Sequence, residues 1–79
     1  MTLTIYSRPG CHLCDDMKEV VHRVVHGRDR ILLEEIDISG DPALNERYGL
    51  EIPVLLIDGK KAAKYRITDE RLRFLVLGA

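Results

Sequence analysis

The chain has 79 residues, of which 46% are hydrophobic and 32% are charged, and its formal net charge at pH 7 is -1. This length predicts one domain over residues 1–79, and the hydrophobic content is that of a globular protein rather than a disordered one. The interspersed, nearly balanced charges exclude the basic stripe of a nucleic-acid-binding protein, and no apolar run approaches the roughly 18 residues of a membrane span.

The first half of the chain predicts a strand, a helix and a second strand. Residues 3–6 alternate apolar and polar side chains, and a Pro-Gly dipeptide ends this strand. The helix that follows begins at Cys11 and ends at Gly27, a residue suited to the left-handed position after a helix. The second strand, within residues 31–38, is mostly apolar, and we expect it to be buried. A helix between two strands predicts a right-handed crossover and a parallel strand pair.

The second half predicts a short helix, a hairpin and a final helix. Asp41 is a cap and Pro42 suits the first position of a helix that ends near residue 49. An Asp-Gly dipeptide joins two strands, residues 54–57 and 60–65, as a type I′ turn does. Thr68 caps the last helix. The order β-α-β-α-β-β-α predicts an α/β fold whose four-stranded mixed sheet is flanked by three helices.

The two cysteines of the chain, Cys11 and Cys14, lie where the first strand gives way to the first helix. This placement is typical of a thioredoxin-like redox motif. A helix N-terminus has free N–H groups and a partial positive charge, which stabilise a thiolate. Cys14, one turn later, can then reach Cys11 and close a disulfide. A pair of buried apolar residues is the weaker interpretation, because Cys11 lies at a glycine-flanked turn outside the apolar stripe.

A metal site is the competing interpretation, because Cys11, Cys14, His22 and His26 superficially resemble a two-Cys, two-His zinc site. At about 1.5 Å rise per residue, Cys14 and His22 would lie about 12 Å apart along one helix, too far to share one zinc ion. We therefore interpret both histidines as surface residues. A cluster bridged between two chains by Cys11 stays open.

The element order, the Cys-x-x-Cys pair after the first strand and Ile52-Pro53 before the third together resemble the smallest form of the thioredoxin fold. Within that superfamily the chain resembles a glutaredoxin-like protein over essentially its whole length. The resemblance implies that Cys11 is the nucleophile and Cys14 the resolving thiol. It also implies that Pro53 is cis and faces the active site, which would expose the backbone of Ile52 to an extended substrate or to glutathione.

The same resemblance implies further substrate-binding residues. Arg8, three residues before the first cysteine, lies where glutaredoxins place a basic residue for a glutathione carboxylate. His12 either tunes the thiolate or occupies an exposed loop position. Glutaredoxins carry a glycine pair before their last helix, but the corresponding residues 65–69 of this chain contain no glycine. In that segment Thr68 and Asp69 are the candidates to bind the γ-glutamyl end.

The implied function is thiol–disulfide oxidoreduction with a redox-active Cys11–Cys14 pair. The substrate is a disulfide-bearing or glutathionylated protein, and glutathione or a reductase supplies the electrons. We expect no tightly bound cofactor, no nucleic acid or membrane partner, a monomer, and a cytoplasmic location because no signal peptide is visible. The alternative is a non-catalytic binding module that carries a metal or an iron–sulfur cluster through the two cysteines.

Overall fold

The computed structural model describes residues 1–78 and contains, within that range, four strands and three helices. Their bounds are β1 Thr2–Ser7, α1 His12–Val25, β2 Leu32–Asp37, α2 Pro42–Tyr48, β3 Val54–Ile57, β4 Lys60–Lys64 and α3 Asp69–Leu77. The strands form one sheet in the order β2-β1-β3-β4, in which β2 is parallel to β1 and the other neighbours are antiparallel. The predicted mixed sheet is confirmed. In this part of the chain no helix is long and apolar enough to cross a membrane.

Each helix begins at a side chain that accepts the backbone N–H three residues later. The acceptors are Sγ of Cys11 at 3.1 Å, Oδ1 of Asp41 at 3.1 Å and Oγ1 of Thr68 at 3.0 Å. A helix start leaves four amides without intrahelical partners, and a capping side chain satisfies one of them. The helix starts are therefore set by local sequence, as the capping residues predict.

The β3–β4 hairpin turns at Asp58 and Gly59, whose φ angles of 49° and 83° are both positive. A type I′ turn needs this backbone at both central residues, and the turn prediction is confirmed. The Asp58 carboxylate accepts the N–H of Thr2 at 2.8 Å, and the Asp58 amide donates to the Thr2 carbonyl at 2.8 Å. The hairpin end is therefore tied to the start of β1.

Buried side chains form one cluster on each face of the sheet. Since successive residues of a strand point to opposite faces, Leu55 belongs to one cluster and its neighbours Val54 and Leu56 to the other. The first cluster lies under α1 and α3 and contains Leu3, Ile5, Met17, Val21, Val24, Leu55 and Leu72. The second lies under α2 and contains Ile38, Tyr48, Val54 and Leu56. The three helices thus cover both faces of the sheet.

The prediction that the second strand is buried is wrong. β2 pairs with β1 alone and is an edge of the sheet, and four of its six side chains are exposed. Leu32 is 64% exposed, whereas Ile38, just beyond the strand, is fully buried. A short apolar run is compatible with either a central or an edge strand, because it does not encode the number of neighbouring strands.

An ion pair joins α1 to α3 at the surface. Nε and Nη2 of Arg23 donate to the two carboxylate oxygens of Asp69 at 2.6 and 2.8 Å. Arg73 lies 3.7 Å from the same carboxylate. The hydrogen bonds from Arg23 lower the pKa of Asp69 below its ordinary value of 3.8, and the nearby positive charges add to this effect.

We predict that Asp69→Asn lowers the free energy of unfolding at neutral pH, and that this loss shrinks in acid. A carboxylate whose pKa is lowered by folding contributes stability that is present above its unfolded-state pKa and is lost as the pH falls through the folded-state pKa. Urea unfolding midpoints should therefore differ by a constant amount from pH 7 to about pH 5 and converge below that. Glu70→Gln is the control, since it removes the same charge from the first turn of α3. Equal losses in the two variants would show that the helix dipole, not Arg23, is responsible.

Candidate active site

Cys11 and Cys14 form a disulfide at the N-terminus of α1, with their Cα atoms 5.2 Å apart. The Cys14 side chain is fully buried, whereas Cys11 is partly exposed. Cys11 is therefore the half of the disulfide that reaches the protein surface, and Cys14 is shielded from solvent.

The sulfur of Cys11 lies at the positive end of α1. This sulfur accepts the N–H of Cys14 at 3.1 Å, and the backbone carbonyl of Cys11 accepts the N–H of Asp15 at 3.1 Å. Amides that point to a helix N-terminus, together with the helix dipole, favour negative charge there. Asp15 and Asp16 are exposed and oppose that charge, while His12 is exposed as the first residue of α1. The positive end of the helix and the two carboxylates therefore act on Cys11 in opposite directions.

Pro53 lies at the same end of the sheet as the cysteines, because Val54 pairs with Tyr6 and β1 continues into the cysteine loop. The Ile52–Pro53 peptide is cis, as the resemblance implied, and Pro53 is buried. Within residues 1–78 no hydrogen bond uses the backbone amide or carbonyl of Ile52. A donor and an acceptor are therefore free at the point where the β1–β3 ladder ends.

Arg8 fixes the loop before the cysteines to α2. Its Nη2 donates to Oδ1 of Asn45 at 2.5 Å. Gly49, which follows α2, lies so close that a Cβ there would be 2.7 Å from Nη2 of Arg8. The half-buried guanidinium is thus enclosed by two residues of the α2 segment, three residues before Cys11. Binding of a substrate carboxylate by Arg8 stays a prediction.

Thr68 and Asp69 both have partners within the protein. The Thr68 hydroxyl caps α3, and the Asp69 carboxylate is bound by Arg23. Arg23 lies nine residues beyond Cys14, or about 14 Å along α1. The structure therefore places the Asp69 carboxylate on this ion pair rather than beside the disulfide. A substrate group bound by Asp69 would have to compete with Arg23, and that role stays a prediction.

A groove of about 600 Å³ runs between α1 and the segment that joins β4 to α3. Its α1 wall starts at Asp16, two residues after Cys14, and continues to Val20. Its opposite wall comes from residues 62–68 and Arg71. The groove therefore begins within one helical turn of the buried cysteine.

Tyr65 is the residue of this region that sequence reasoning missed. Tyr48 and Tyr65 both suit packing roles in the sequence, and Tyr48 is indeed buried, with its ring stacked 4.7 Å from that of Tyr6. Tyr65 is instead 41% exposed and lines the groove. Its φ of 68° lies in the left-handed region. The sequence did contain a signal for this conformation. Residues 65–69 stand where glutaredoxins have a glycine pair, and glycine is the residue that adopts a left-handed backbone freely.

The two histidines of the alternative metal interpretation lie on the surface of α1 and at its end. Nε2 of His22 is 2.9 Å from Oε1 of Glu35 on β2, and His26 is the exposed C-cap of α1. Within residues 1–78, no group of three or more His, Cys, Asp and Glu side chains is arranged to hold a metal ion.

Three comparisons with known proteins agree with this geometry. Residues 2–76 match the Glutaredoxin-like domain family. A glutaredoxin-like protein of Dictyostelium discoideum is 30% identical over 94% of this chain and 73% of its own length.

Two solved structures have the same fold. The X-ray structure of a structural genomics target protein from X. campestris superposes with a TM-score of 0.80 and 32% identity, over 98% of this chain and 97% of that one. A thioredoxin of Halobacterium salinarum shares the fold with a TM-score of 0.64 and 21% identity, over 98% of this chain and 72% of that one. The family match and the Dictyostelium relative show that the chain belongs to the glutaredoxin-like family, and the solved structures show that it has the thioredoxin fold.

Proposed function

We propose that the protein is a thiol–disulfide oxidoreductase, with Cys11 as the nucleophile and Cys14 as the resolving thiol. The observation that carries this proposal is the unequal burial of the two bonded cysteines at the start of α1. The more exposed cysteine, Cys11, is the one whose sulfur caps the helix and accepts an N–H, so it is the one that gains from the helix dipole as a thiolate.

In the first step the Cys11 thiolate attacks a substrate disulfide. A bond forms between Sγ of Cys11 and one substrate sulfur, while the other substrate sulfur leaves as a thiolate. The free amide and carbonyl of Ile52 suit an extended substrate at this stage, because they are the pair that a further antiparallel strand would use. His12, Arg8 and Thr68 are the other side chains that we propose to contact the substrate.

In the second step Cys14 attacks Sγ of Cys11. The mixed disulfide breaks, the substrate sulfur leaves, and the Cys14 proton goes to that leaving thiolate. The protein now holds the Cys11–Cys14 disulfide, and the substrate has gained two electrons. Two molecules of glutathione, or a dithiol reductase, must supply two electrons to restore the thiols.

A supply of reduced thiol is therefore required for turnover. We propose a cytoplasmic location, where glutathione and reductases maintain such a supply. The proposed substrates are protein disulfides and glutathionylated proteins, and we assign no tightly bound cofactor. The described part of the chain provides both reacting sulfurs, so a monomer would suffice for the reaction.

We predict that Cys11→Ser reduces the disulfide reductase activity to the uncatalysed rate. Cys14→Ser should keep the first step and accumulate a mixed disulfide, because the attack that releases the substrate is lost. Intact mass after an acid quench would identify the adduct. The two variants make the same atomic change three residues apart, so each is the control for the other. Full dithiol activity in Cys11→Ser would contradict the assignment.

We further predict that Cys14→Ser, equilibrated with reduced and oxidised glutathione, carries one glutathione on Cys11. Arg8→Gln in that background should weaken the adduct by about 3- to 10-fold, the net scale of one hydrogen bond. Arg30→Gln, an exposed arginine between α1 and β2, is the matched control. An unchanged adduct in Arg8→Gln would remove Arg8 from the site. Two free thiols in the wild type under every buffer would contradict dithiol chemistry altogether.

A further inference from the structure

The groove beside the disulfide has an apolar floor and a mostly cationic rim. Met17 is buried and Val20 half-buried on the α1 side of the floor. The exposed rim carries three cations, Lys64, Arg66 and Arg71, on the wall opposite α1. The single carboxylate of the lining, Asp16, lies on the α1 wall at the end nearest Cys14. The groove is therefore positive on a chain whose net charge is -1.

Two of the three rim cations, Arg66 and Arg71, have no ion-pair partner in the described part of the chain. Lys64 forms a long ion pair, with Nζ 3.8 Å from Oε1 of Glu51, and Lys61 binds the same oxygen at 2.6 Å. The Arg71 guanidinium lies over the Phe74 ring at 5.7 Å, which leaves its charge free. Arg66 forms no ion pair within residues 1–78. An anionic partner would thus find two arginines without ion-pair partners and one weakly paired lysine along this wall.

Tyr65 connects this wall to the free backbone of Ile52. Its N–H donates to the Pro53 carbonyl at 2.8 Å, and its hydroxyl donates to the Leu50 carbonyl at 3.0 Å. A non-glycine residue persists in the left-handed region only where its surroundings hold it, and such residues cluster at functional sites. Leu50 is 94% exposed, so an apolar side chain also flanks this loop without cover. The loop and the groove form one continuous surface beside the cysteines.

We infer that this surface binds a protein substrate that carries an acidic residue near its disulfide. This inference rests on the proposed oxidoreductase function and names its substrate class. The substrate segment pairs with the backbone of Ile52 and continues along the groove, where its acidic side chain lies among Lys64, Arg66 and Arg71. The neighbouring apolar side chain of the substrate packs on the groove floor.

The register of β3 and β4 places part of the cationic rim beside the Ile52 backbone. Val54 pairs with Lys64, and the Tyr65 N–H donates to the Pro53 carbonyl at 2.8 Å. Lys64 and Arg66, on either side of Tyr65, therefore lie at the end of the sheet where Ile52 meets the cysteine loop. The surface selects the sign of the charge that a substrate carries close to its disulfide.

The test uses the reduced full-length protein and short synthetic peptides that each contain one internal disulfide. The peptides are identical except for Glu, Gln or Lys at the third residue from the first cysteine. The peptide disulfide oxidises the protein to the Cys11–Cys14 form and is itself reduced to a dithiol, so no other reductant is needed. Single-turnover rates follow from an acid quench and intact mass.

We expect the peptide with Glu at the third residue to react on the order of tenfold faster than its Lys counterpart at low salt, with the gap closing as salt screens the charges. Arg66→Glu should abolish or reverse the preference. Arg30→Glu changes the net charge equally at an exposed site outside the groove and should leave the preference intact.

Several results would overturn the inference. Equal rates for the Glu and Lys peptides would remove the acidic preference while leaving the oxidoreductase function, since both peptides are reduced. Equal effects of Arg66→Glu and Arg30→Glu would show that only net charge matters. Oxidation by glutathione disulfide but by none of the peptides would show that the groove does not serve a protein segment. Failure of every disulfide to oxidise the protein would remove the proposed function and the inference with it.

Discussion

The start of α1 is the constraint on which the rest of the site depends. The sulfur of Cys11 caps this helix, so the N–H that the cap satisfies also points at the sulfur that we propose to react. Forming the helix therefore also places the positive end of its dipole at this sulfur. Arg8 adds to this constraint, because its hydrogen bond to Asn45 ties the loop before Cys11 to α2.

The strand register of the sheet brings the Ile52–Pro53 segment to the cysteine loop. β1 and β3 are antiparallel, and Val54 pairs with Tyr6, so the residues before β3 meet the residues after β1. Cys11 and Ile52 are 41 positions apart in the sequence, yet they lie at one end of the sheet for this reason. The proposed reaction uses both features of this end of the sheet: the sulfur that caps α1, and a backbone with which an extended substrate can pair.

Local signals in the sequence predicted most of the fold and the central part of the site. The caps Asp41 and Thr68, the type I′ turn and the position of the cysteines each depend on a few neighbouring residues, and the structure has all of them. The features that were missed depend on distant parts of the chain. The exposure of β2 follows from its place at the sheet edge, and the Arg23–Asp69 pair joins residues 46 positions apart. Tyr65 was missed because its backbone conformation is held by the carbonyls of Leu50 and Pro53.

The two edges of the sheet carry charges of opposite sign. The edge strand β4 presents lysines, and the opposite edge strand β2 presents carboxylates, among them Glu34 and Glu35. Two copies that joined through the same edge would bring like charges together across the new ladder, which destabilises strand pairing. The open sides of the sheet are thus protected electrostatically from symmetric self-assembly. The unpaired backbone at Ile52 precedes the interior strand β3, so it lies between the two charged edges rather than on either of them.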